Sequence, residues 1–171
     1  WIHDPVVGGG RIIGEACHFI DLASAISRSM PKKIYAVNSK TIDTNPLTND
    51  NTCISVKFES GAIANIVYTS EGSSLVSKEY VEVYSNGLTA IIDDFKKLNI
   101  YKADKKILSS SLSTQDKGQK AMLDSWLNAI KNDKQCIPLE TLFSSSLATI
   151  QAVESIMLDN PLEVNINNLD R

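Results

Sequence analysis

Apolar side chains follow three rhythms along the chain. After Gly8-Gly9-Gly10, the stretch 12–29 carries Ile13, Ala16, Cys17, Ile20 and Ala23 on one arc at helical spacing. Pro31, which has no amide donor, stops that helix. Over 33–108 the period changes to two. Ile54, Val56 and Phe58 alternate with polar residues, Ser60-Gly61 turns the chain, and Ala62, Ala64, Ile66 and Tyr68 resume the alternation, which predicts a hairpin. Val81 and Val83 lead into Asn86-Gly87, the residues a type I′ turn needs because both central positions take positive φ, and 88–92 return. Weaker strands are predicted at 98–101 and 106–108 around the polar turn at Ala103-Asp104, and the serine-rich stretch 109–113 reads as a loop. Two helices close the pattern. The first, 117–131, places Met122, Leu123, Trp126, Leu127 and Ile130 on its buried side; the second, 140–158, does so with Phe143, Leu147, Ile150 and Met157. Pro161 ends the last helix, and 162–166 reads as a final short strand.

No internal repeat or linker interrupts this pattern. It predicts an α+β fold over 1–171, an open, mostly antiparallel sheet of about six or seven strands with helices packed on one face. The other face carries polar Lys57, Glu59, Asn65, Glu82 and Ser85, yet Ile63, Val67, Tyr84 and Ile91 also sit at alternate positions. Either that face takes a second copy of the chain, giving a homo-oligomer, or these are the scattered apolar residues any surface has.

Composition narrows the function by exclusion. With 171 residues, 43% hydrophobic and 22% charged, the chain is rich enough to build a core, which argues against disorder. Seventeen Lys+Arg against 20 Asp+Glu give a net charge of −3, and the lysine-rich stretch 96–106 is interrupted by Asp104, so neither nucleic acid nor a membrane is expected as a partner. Cys17, Cys53 and Cys136 have no C-x-x-C spacing, and no apolar run reaches the roughly 18 residues of a membrane helix; a reduced, soluble, cytoplasmic setting is expected. The chain opens on Trp1 rather than Met and reads as a piece of a longer polypeptide.

Candidate chemistry lies in the first helix. Residues 100° apart place Arg11, Glu15, His18 and Asp21 on a polar stripe opposite the apolar arc. Two acids around one imidazole suit a general acid/base near neutral pH, with Glu15 and Asp21 tuning His18. The same stripe is also what the solvent face of any amphipathic helix looks like. The glycine triplet, Gly10 included, allows close backbone approach to a ligand. It lacks the G-x-G-x-x-G spacing and a leading hydrophobic strand, so it is not a dinucleotide loop. His3, beside Asp4, lines a pocket or sits on the surface; Trp1 stacks on a ligand ring or packs against other protein. Trp126 reads as packing and Cys17 as a small buried residue. No His, Cys, Asp or Glu spacing suggests a metal.

The run Gly8-Gly9-Gly10-Arg11-Ile12-Ile13-Gly14-Glu15-Ala16-Cys17-His18-Phe19-Ile20-Asp21-Leu22 resembles the signature that opens the C-terminal domain of the Gfo/Idh/MocA oxidoreductases, the glucose–fructose oxidoreductase and inositol dehydrogenase family. Phe58-Glu59-Ser60-Gly61-Ala62-Ile63-Ala64, Val81-Glu82-Val83-Tyr84-Ser85-Asn86-Gly87 and the closing helices fit the same template in order. The resemblance implies a dehydrogenase in two halves. An N-terminal Rossmann domain, absent from this chain, would bind NAD or NADP. The C-terminal domain would supply a sugar or cyclitol pocket and oligomer contacts, with His18 and Glu15 catalytic and Arg11, Asp21 and Gly10 binding substrate. The isolated piece would then be inactive. Many members carry an aspartate four residues before the histidine, where this chain has Gly14, with Glu15 next to it. Either the longer glutamate takes over that role, or the domain is a binding or assembly module that has kept the fold and lost the chemistry.

Overall fold

The computed structural model describes residues 4, 7–39 and 50–166, and the chain divides into two compact units, Trp1–Glu71 with Ile137–Arg171, and Gly72–Cys136. In the first unit the glycine triplet leads into a π-helical turn, Ile12–Ala16, that runs on as α1, Cys17–Ser27. The Cys17 amide donates to the Ile12 carbonyl, five residues back. This wider turn resets which side chains face inward. Ile12, Ala16, Ile20 and Ser24 are buried, whereas Ile13, expected on the apolar arc, is exposed. The helix also ends before proline can act on it. Arg28 takes a left-handed φ of 49° at the C-cap, and Pro31 instead opens strand β1, where a missing amide proton costs little.

β1 (Pro31–Asn38), β2 (Thr52–Phe58), β3 (Ile63–Tyr68) and the short β8 (Leu162–Glu163) form an antiparallel sheet in the order β3-β2-β1-β8. One face packs on the helices. Ile34 and Ala36 of β1 with Ile54, Val56 and Phe58 of β2 are sealed against α1 and the long helix α3, Leu139–Leu158. α3 meets the sheet on small residues, Ser145, Ala148, Thr149, Ala152 and Ser155, while Phe143, Ile150 and Met157 are exposed. The sequence reading placed those larger residues inward. Small side chains let α3 lie close to β1 and α1, and its Ser145 and Thr149 hydroxyls donate to their own helix's Thr141 and Ser145 carbonyls rather than standing unpaired in the interface.

The second unit is a meander. β4 (Tyr80–Ser85), β5 (Leu88–Asp93), β6 (Lys97–Lys102) and β7 (Lys105–Ser111) pair in sequence order, and Asn86 and Gly87 turn β4 into β5 at φ of 49° and 75°. Of the serine stretch 109–113 expected as a loop, 109–111 belong to β7. Ser109 to Ser111 pair with Asn99 to Lys97, and the Ser109 hydroxyl donates to the Asn99 side chain at 2.9 Å. Backbone pairing overrides the serines' turn preference because an edge strand has room for polar side chains on both faces. Helix α2, Gln119–Lys131, follows the left-handed Gly118. Its Met122, Leu123, Trp126, Leu127 and Ile130, expected to be buried, are each 47–60% exposed.

The α+β, antiparallel character follows the alternation read from the sequence. Among the described residues the strands number eight, and they divide into two four-stranded sheets. That division falls in the polar run 69–79, whose only large apolar residues, Leu75 and Val76, are exposed.

Candidate functional site

The π-helical turn, the start of α1 and the end of β3 bring one polar cluster together. Tyr68 is the last residue of β3, and the alternation that buries Ala64 and Ile66 against the helices also turns its ring toward them. Its hydroxyl donates to Glu15 Oε2 at 2.8 Å. The other carboxylate oxygen, Oε1, accepts from Arg11 Nη1 at 3.3 Å, one turn back along the helix. Arg11 Nε stands 2.9 Å from Asp50 Oδ2 but makes no hydrogen bond among the described residues, so this contact is charge on charge. The guanidinium's pKa is held above its ordinary value, first by its hydrogen bond to Tyr68 and then by Asp50. Burial chiefly raises that of the Tyr68 phenol, with Glu15 adding to the rise and Arg11 opposing it.

His18 lies on α1 with its side chain exposed, and it makes no hydrogen bond or ion pair among the described residues. Glu15, expected as its partner, has one oxygen bonded to Arg11 and the other to Tyr68. Asp21 is exposed and accepts only a long bond, 3.5 Å, from Ser145, whose hydroxyl is better placed on the Thr141 carbonyl at 2.7 Å. Arg11, expected to bind substrate, has its charge matched by Glu15 and Asp50. Cys17 is half-buried, and burial pushes its thiol up, as a small packed residue should behave. Trp1 and His3 lie outside the described residues.

The glycines serve the turn rather than a ligand's phosphates. Gly8 and Gly9 both donate their amides to the Asp4 carbonyl, at 2.8 and 2.9 Å, and Val7 donates to the Asp4 carboxylate. Gly9 has φ 67°, and a Cβ there would stand 3.0 Å from Ile13 Cδ1. Gly10 is buried at φ 87° and accepts from the Gly14 amide. With two of the three amides consumed inside the loop, this segment does not fit a dinucleotide's pyrophosphate. Among the described residues no group of three or more His, Cys, Asp or Glu could hold a metal ion, and no helix is long and apolar enough to cross a membrane.

The sequence did not single out Tyr68 as a functional residue. The available signal was its place in the alternation: a hydroxyl-bearing aromatic on the helix-facing side, at the strand end nearest the polar stripe.

An α+β domain with a helix of this kind over an antiparallel sheet has well-defined relatives. Residues 1–84 match the GFO/IDH/MocA C-terminal domain, the family that the opening motif resembles. Comparison with curated protein sequences gives no match. Among solved structures, an NAD binding oxidoreductase from Klebsiella pneumoniae superposes with a TM-score of 0.77 at 16% identity, covering 96% of this chain and 53% of its own. A levoglucosan dehydrogenase in complex with NADH and L-sorbose gives 0.76 at 16%, over 96% and 53%. An aldose-aldose oxidoreductase from Caulobacter crescentus gives 0.73 at 18%, over 95% and 50%. At these identities the likeness is one of fold, and the chain spans about half the length of these structures.

Proposed function

We propose that this chain is the substrate-binding and oligomerising half of a nicotinamide-dependent dehydrogenase acting on a sugar or cyclitol. The observation that carries the reading is the exposed, unengaged His18 one turn beyond a fixed carboxylate, on the helix that the family match covers. An imidazole free of protein partners can accept the proton of a substrate hydroxyl as it becomes a carbonyl, and return it in the reverse direction. The cofactor would be NAD or NADP, held by a Rossmann domain outside this chain; that both the Klebsiella and the levoglucosan enzymes are described with NAD or NADH supports this choice. No residue of this chain is assigned to it.

In the full-length protein, His18→Ala is expected to lower kcat/KM about a hundredfold or more. Reduction of NAD or NADP, with D-glucose, myo-inositol and levoglucosan as probes, reads the loss, and cofactor affinity should not change. Turnover equal to that of the parent would remove His18 from the mechanism and leave an assembly module as the better account.

The open face of the first unit's sheet is the surface for a second copy. Val37, Cys53 and Val67 are paired across three strands, all exposed, and Ile63 extends the patch; Ile63 and Val67 are each 75% exposed. Lys33, Tyr35, Ser55, Lys57, Ile63 and Asn65 surround a shallow hollow on the same face. Val67→Asp puts a charge in the middle of such a contact. Sedimentation should then show an oligomer for the parent protein and a monomer for the variant, and an unchanged oligomer would move the interface elsewhere.

A further inference from the structure

Glu15 stands where the proposed chemistry needs a polar group, yet nothing on its own helix keeps a three-torsion side chain pointing one way except Arg11, itself a long side chain. The fixed support comes from a different element. Tyr68 is set in the sheet by the pairing of Thr52 with it, and its ring packs against the core. Its hydroxyl reaches Glu15 Oε2 at 2.8 Å, the shorter of that carboxylate's two bonds. A carboxylate offers about four acceptor sites, and these two bonds leave the others open. Glu15 is 36% exposed, so those sites face outward. Arg11 is matched by Glu15 on one side and Asp50 on the other, so the cluster offers a ligand hydrogen-bonding groups and no excess positive charge.

Resting on the dehydrogenase reading above, we infer that Tyr68 is a positioning residue: with Arg11 it aims the Glu15 carboxylate so that its free lone pairs receive a hydroxyl of an uncharged, polyhydroxylated substrate next to His18. Tyr68 acts through Glu15 and does not touch the substrate. The sheet thereby sets the geometry of a residue that the helix alone would leave free.

The test uses the full-length protein with the same three probes. Tyr68→Phe keeps the ring and removes only the hydroxyl, so the fold is retained. A hydrogen bond to a charged group is lost, and kcat/KM is expected to fall about tenfold or more. Glu15→Gln should cost at least as much. The Tyr68→Phe, Glu15→Gln double variant should lose no more than Glu15→Gln alone, because a positioning residue has nothing left to position. Losses that simply add would make Tyr68 a structural residue and overturn the inference, as would unchanged turnover in Tyr68→Phe. Ultraviolet titration of the tyrosines gives a readout independent of turnover: Glu15→Gln should lower the midpoint of the component that Tyr68→Phe removes. An unmoved midpoint would overturn the pairing even if no probe is turned over. His18→Ala, run in parallel, separates the two failures. If it abolishes activity while Tyr68→Phe does not, the dehydrogenase reading stands and this inference falls.

Discussion

Phe58→Ala is expected to lower the stability of the protein by about 3–5 kcal/mol, the usual cost of removing a buried aromatic ring and leaving its cavity. Phe58 is 1% exposed and is the largest of the fully buried side chains. It also ends β2 where the hairpin begins: its amide donates to the Ala62 carbonyl at 2.9 Å, and its own carbonyl accepts from Gly61 at 3.0 Å. The ring therefore anchors both the core and the turn that sets the register of β3, the strand carrying Tyr68. Domains are stable by only about 5–15 kcal/mol, so this loss is a large share of the total. Chemical denaturation should show a lower midpoint with an unchanged slope. Phe58→Leu, which keeps most of the volume, should cost less than about 1.5 kcal/mol. Equal losses for the two variants would mean that the site collapses around whatever occupies it.

The second large effect is polar. Ser155 is fully buried on α3, where it accepts from the Ala36 amide of β1 at 3.1 Å and donates to the Asn160 carbonyl at 2.6 Å. One hydroxyl thus ties the end of a helix to the middle of a sheet and to the turn that follows. Ser155→Ala leaves a buried amide and a carbonyl without that partner, and about 1–3 kcal/mol should be lost. Ser24 is the internal control. It too is buried, but its hydroxyl only returns to the Ile20 carbonyl of its own helix, so Ser24→Ala should be close to neutral. Denaturation midpoints that fall equally in both variants would show that burial of the hydroxyl, and not its role as a bridge, decides the cost.

The alternation of the strands was legible because period two has a direct physical cause: Ile54, Val56 and Phe58 must share a face, and Asn86-Gly87 can turn only one way. Other features were not. The offset from Ile13 to Ile12 on the buried side of the first helix comes from an i→i+5 turn, which a constant 100° step cannot represent. The buried side of α3 was misread because its contact is made by Ser145, Ala148, Ala152 and Ser155, small residues that hydrophobicity ranks below Phe143 and Ile150. The apolar side of α2 was read correctly as a stripe and wrongly as buried, since a stripe records a preference without naming what covers it. Of the candidate residues, His18 and Glu15 stand on the first helix at a spacing that the sequence shows directly. Tyr68 is 53 residues beyond Glu15 and meets it only once the sheet has formed.

The extra width of the turn at Ile12–Ala16 also acts as a dial on the side chains before it. A helix that takes in one additional residue without breaking widens locally, and every residue before the widening is then rotated by about 100° relative to those after it. Gly14 and Glu15 both sit inside that turn. The direction in which Arg11 leaves the chain relative to His18 and Asp21 is therefore set by the pitch of this one turn, and a change that tightened it would re-aim the arginine without altering any residue of the polar cluster.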